Sequence, residues 1–89
     1  MTATLTPRER ELARHALGLD GRRKRSYRNR YFACATGVKG IVWLGMVERG
    51  LAEKHGYDRV GLIEFSITRS GALAALEPGE SLDSEDFPG

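Results

Sequence analysis

A small α+β domain is the fold class this sequence predicts. Eighty-nine residues leave room for one core and not two. Two stretches, one ending near Leu19 and one running from Val38 to Leu51, carry apolar residues at helical spacing, while Leu62 to Thr68 alternates with the two-residue period of a half-buried strand. Hydrophobic residues make up 40% and charged residues 29%, which separates the chain from disordered or fibrous compositions. The expected architecture is helices packed on a two-stranded hairpin with a C-terminal helix. Residues 1–77 form the domain, and 78–89 are an acidic, flexible, disordered tail.

The first helix opens at Thr6-Pro7-Arg8-Glu9. Thr6 can cap, Pro7 suits the first helical position, and Glu9 completes a capping box. Leu5, Leu12, Ala16 and Leu19 supply a narrow apolar stripe, with Arg8, Arg10, Glu11 and Arg14 largely outside it. Gly18 and then Asp20-Gly21 end the helix. Residues 26–34 admit two readings. Ser26 can cap a short helix using Tyr27, Tyr31 and Cys34, or the segment is a strand ending in Tyr31-Phe32; the helix is preferred.

Ala35-Thr36-Gly37 is a turn. Val38 to Arg49 is the second clear helix, with Ile41, Leu44, Val47 and Leu51 inward and Trp43 and Met46 widening that face. Gly50 takes the left-handed closing position, and Leu51 packs back on Met46. Leu51 to Lys54 is a short strand, His55-Gly56-Tyr57-Asp58 a turn, and Leu62 to Thr68 the returning strand with Ile63, Phe65 and Ile67 inward. Thr68 caps a last helix with Ala72, Leu73 and Leu76 inward, and Pro78 stops it.

Charge is unevenly spread. Residues 1–30 hold nine Arg/Lys and three Asp/Glu, whereas residues 31–89 hold five and nine. The run from Arg22 to Arg30 has six cations in nine residues: Arg22, Arg23, Lys24, Arg25, Arg28 and Arg30. Like charges this dense repel and stay exposed. Guanidinium groups match phosphate bidentately, and Tyr27 can stack on a base or sugar. The acidic tail, with Glu77, Glu80, Asp83, Glu85 and Asp86, is expected to solubilise; the other reading folds it back on the basic run as a competitor for anions.

From Val38 onward the order helix, hairpin, helix resembles a winged-helix domain. The residues carrying the likeness are Leu44 to Glu53 (with Val47-Glu48-Arg49-Gly50-Leu51), then Phe65 to Leu76 with Thr68-Arg69-Ser70-Gly71 entering the last helix. MarR-type transcription regulators have a similar run, and it covers residues 38–76. The resemblance implies a winged-helix-like scaffold and nucleic-acid binding; its helix-turn-helix start needs residues 26–34 to be helical. The N-terminal half, Leu12 to Leu19 followed by Arg25 to Arg30, resembles small uncharacterised prophage proteins, which widens the implied roles to phage accessory functions such as anti-CRISPR inhibition.

No catalytic signature stands out, and the chain is not read as an enzyme. His15 and His55 are isolated and, with Cys34, show no metal-ligand spacing; neither a metal nor a cofactor is expected. Cys34 is expected as a small apolar residue near the core. Gly37-Val38-Lys39-Gly40 lacks the Gly-Lys-Ser/Thr adjacency of a phosphate loop. One cysteine and no long apolar run point to a reducing, cytoplasmic setting and no membrane. The expected partner is nucleic acid, DNA ahead of RNA, or an acidic protein surface. Arg22, Arg23, Lys24, Arg25, Tyr27, Arg28 and Arg30 would hold it, with Thr36 and Lys39 at the second helix and Arg59 in the hairpin turn. The stripe of the first helix leaves a homodimer open.

Overall fold

The computed structural model describes residues 5–19, 22–84 and 87. Its elements are α1 (Pro7–Leu17), β1 (Tyr31–Ala33), α2 (Val38–Glu48), β2 (Ala52–Tyr57), β3 (Ile63–Ile67) and α3 (Arg69–Ala75). The class is α+β: three helices cover one face of a three-stranded antiparallel sheet of order β1-β3-β2. None of the described helices is long and apolar enough to cross a membrane.

α1 forms as its sequence dictates. The Thr6 hydroxyl accepts from the Glu9 N–H at 3.1 Å, and the Glu9 carboxylate accepts from the Thr6 N–H at 3.0 Å. Arg49, just past α2, donates to the same carboxylate at 2.6 Å. Burial pushes the Glu9 carboxyl up, but the Thr6 N–H and the Arg49 guanidinium outweigh it and hold it below its usual value. Gly18 closes the helix at φ 81°, a conformation that favours glycine.

Residues 26–34 are extended and not helical, and this corrects the two-stranded hairpin to a three-stranded sheet. The physical reason is non-local. The Asn29 side chain bonds both the N–H and the C=O of Ile67, at 2.7 and 2.9 Å, continuing the β1–β3 ladder beyond its end. The N–H groups of Tyr27 and Arg30 go to the Leu17 and Ala16 carbonyls at the end of α1. Those carbonyls lack helical partners of their own, so the strand and the helix end satisfy each other.

The inner face of β3 (Ile63, Phe65, Ile67) packs with Leu12, Ala13, Ala16 and Leu17 of α1 and with Trp43 and Met46 of α2. The Trp43 and Phe65 rings stack at 5.4 Å. The inward face of α2 is the expected one in part: Trp43 and Met46 are buried, Leu44 and Val47 pack against the core, and the departure is Ile41, which is 59% exposed while Gly40 is buried. The helix is apolar nearly all round, so its periodicity orients it only loosely, and its tryptophan takes the core. Gly50 (φ 75°) and the Leu51 N–H to Met46 carbonyl bond close it as expected.

Three local corrections follow the same logic. The segment His55 to Asp58 is not a turn: β2 runs through Tyr57 with a bulge between Lys54 and Gly56, and His55 bonds the Ser66 hydroxyl at 2.6 Å. The turn spans Asp58 to Leu62, because the Asp58 carboxylate accepts from the Val60 and Leu62 N–H groups. In α3, Leu73 faces outward and Gly71, Ala72 and Ala75 face inward, since Gly71 lies against the Leu51 carbonyl where a β-carbon would sit 2.3 Å from the oxygen.

The described part of 78–89 is not free of the domain. Ser81 exchanges backbone bonds with Lys24 and Ser26, the Asp83 N–H donates to the buried Ser26 hydroxyl, and Phe87 is buried. The side chain of Glu80 is buried against Arg14 of α1, which reaches it with both terminal guanidinium nitrogens, one at 2.7 Å, and also donates to the Ala75 carbonyl.

Candidate nucleic-acid interface

The basic run is an extended strap laid over the end of α1 and feeding the sheet. Its backbone is fixed where Ser26, Tyr27 and Arg30 bond the Ser81, Leu17 and Ala16 carbonyls. Two-residue alternation then decides where its side chains go. Arg28, Arg30, Phe32 and Cys34 face outward and are exposed, whereas Asn29, Tyr31 and Ala33 are turned toward the fold and are partly or fully buried.

Four of the cations have defined neighbours. Arg28 donates to the His15 carbonyl at 2.7 and 3.3 Å, a neutral partner that leaves its charge unneutralised. Arg30 stands 3.6 Å from Glu64 on the neighbouring strand, and Arg25 stands 3.8 Å from Asp83. Exposed pairs at such distances are weak. Arg23 covers the Tyr27 ring at 4.3 Å, and that ring lies against Gly18. Tyr27 is therefore engaged within the chain more than the sequence implied. Arg22 and Arg23 have further contacts inside the fold. Arg22, Arg23, Lys24 and Arg25 are all exposed, so the strap keeps a cationic surface outward.

A depression of about 400 Å³ opens beside the strap, lined by His15, Arg28, Arg30, Tyr31 and Phe32. Lys39, at the start of α2, lines two adjoining depressions, and Tyr31 borders all three. Arg28 and Arg30 thus line one depression and Lys39 the two others, with Tyr31 common to all three. Thr36 is exposed in the turn before α2, with its hydroxyl 3.4 Å from the Cys34 sulfur. That contact draws the Cys34 thiol below its ordinary pKa, and Cys34 is exposed and not part of the core. Arg59 is exposed in the β2–β3 turn and borders none of the three depressions.

Sequence reasoning missed His15, Tyr31 and Phe32 as members of this site. The signal was the alternation Arg28-x-Arg30-x-Phe32, which a helical reading of residues 26–34 obscures. His15 carried no signal; its ring packs roughly perpendicular to that of Tyr31, centres 5.4 Å apart, through folding alone.

Glu80 adds a fixed negative charge behind this surface. The Arg14 guanidinium beside it holds its pKa down, against burial, to about 2, with further help from the Glu77 N–H and from Lys24 of the strap. It is therefore ionised across the physiological range.

Compared with protein families, curated proteins and solved structures, the chain matches none.

Proposed function

We propose that this chain is a small nucleic-acid-binding module of phage or prophage type, with a binding and not a catalytic role. It holds the phosphate backbone with its arginine strap and has little base specificity. The helix–hairpin–helix run serves as a winged-helix-like scaffold. The observation that carries this reading is the strap itself: arginines held at two-residue spacing on an ordered backbone, exposed, beside a depression that Tyr31 and Phe32 also line. Ordered guanidinium donors meet phosphate with little further loss of side-chain freedom.

The test is binding of a labelled oligonucleotide across salt concentration. If about four cations meet phosphates, log affinity falls against log salt with a slope of roughly −3.6 on duplex or roughly −2.8 on single strands. Affinity flat in salt, or no binding near 50 mM salt, overturns the reading.

One observation favours a second reading. The strap already accepts carboxylates of its own chain, Asp83 at Arg25 and Glu64 at Arg30. An acidic protein surface could take the same place, as for an anti-CRISPR inhibitor of a nucleoprotein complex. A stoichiometric protein partner captured from host lysate and retained after nuclease treatment supports that reading over the first.

A further inference from the structure

The geometry points to single-stranded nucleic acid, and not duplex, as the ligand of the depression between the strap and α1, with a base stacked on Phe32 and phosphates on Arg28 and Arg30. This rests on the nucleic-acid reading above and sharpens it.

Two independent observations carry it. The first is the outward edge of the strap. Phe32 is an exposed aromatic ring in line with Arg28 and Arg30, with the Arg30 guanidinium 5.9 Å from its centre. Side chains two residues apart on a strand emerge about 6.6 Å from one another. Phe32 follows Arg30 along that edge, so a base stacked on its ring would neighbour a phosphate on Arg30. Such stacking requires an unpaired strand, because a duplex base is already stacked on both faces.

The second observation is what α2 lacks. A duplex is usually read by a helix that places polar and basic side chains in the major groove. The exposed side of α2 presents Val38 and Ile41, 66% and 59% exposed, with Lys39 as its one cation, Gly45 about a turn beyond Ile41 and Glu48 at its end. That face would bring apolar groups and a carboxylate against phosphates. The chain thus exposes an aromatic ring where a free base can reach it, while the exposed face of α2 is unsuited to a groove.

The experiment measures fluorescence anisotropy with a labelled oligo-dT, an oligo-U and a hairpin duplex of matched length at 50 mM salt. Expected are at least tenfold tighter binding of a single strand than of duplex, and a loss of about tenfold on the single strand for Phe32→Ala with duplex affinity unchanged. Phe32→Trp should restore single-strand affinity, which a merely structural role would not explain, and circular dichroism of each variant checks the fold. Preference in either the DNA or the RNA arm upholds the proposal. Equal or tighter duplex binding, or a Phe32→Ala variant that binds single strands normally, overturns it and leaves the backbone-binding reading standing. Binding to none of the three overturns both.

Discussion

Helices α1 and α2 have the same length, eleven residues each, and opposite physical characters. α1 is capped by side chains at its start, closed by Gly18 and polar on its outer side. α2 begins at Gly37 with no side-chain cap, carries only Lys39 and Glu48 as charges, and turns Val38 and Ile41 to the surface. α1 is oriented by its own pattern. α2 is oriented by what it packs against: the β1–α2 turn at Gly40 and the Phe65 ring at Trp43. A helix can thus be specified locally or by its surroundings, and only the first kind shows its inner face in sequence.

The sharpest way to break this contrast lies within α2. A β-carbon at Gly40 would sit 1.8 Å from the Cys34 carbonyl oxygen, whereas one at Gly45 meets nothing within 4 Å. Gly40→Ala should lower stability by about 3 kcal/mol in a urea titration, and Gly45→Ala should raise it by about 1 kcal/mol. Equal effects at the two positions would mean that α2 is rotated and that Gly40 does not face the β1–α2 turn.

Next in size is the bond from α1 to the C-terminal segment. Glu80→Gln should remove about 2 kcal/mol at pH 7, because Arg14 loses a charged partner in a buried site. The Glu80 pKa is depressed from 4.5 to about 2 on folding. Its stabilisation is therefore complete above the unfolded value and is lost as pH falls from about 4.5 toward 2. Denaturation midpoints followed across that window should drop in the native chain and change less in Glu80→Gln.

Smaller effects sharpen the comparison at the caps. Thr6→Ala should cost about 1 kcal/mol by opening the capping box of α1, while Gly37→Asp should gain only about 0.3 kcal/mol at the unassisted start of α2. Both are measurable as shifts in the urea midpoint. Smallest of all, Ile41→Lys should change the melting free energy by less than about 0.5 kcal/mol, since its side chain leaves nothing in the core. A large loss there would place Ile41 inside.

Much of the site was legible in the same uneven way. The cations of Arg22 to Arg30 announce themselves by density. Their arrangement does not, because Tyr27 and Tyr31 stand four apart and imitate a helix, whereas Arg28, Arg30 and Phe32 alternate as a strand. Asn29 decided between these periods by bonding Ile67, thirty-eight residues away. Lys39 reaches the same surface only because α2 packs where it does, and Arg59 stays apart from the depressions around Tyr31.

The sequence alone determined α1 with its caps, the inward face of β3, the closure at Gly50 and the cationic character of the strap. Each of these depends on residues within a few positions of one another, so local chemistry is enough. Tertiary structure decided that residues 26–34 are extended, that α2 leaves Ile41 outside and buries Gly40, and that Ser81 and Asp83 return to Lys24 and Ser26. Those outcomes depend on backbone groups and apolar surfaces finding partners far along the chain, and no short-range pattern encodes which partner wins.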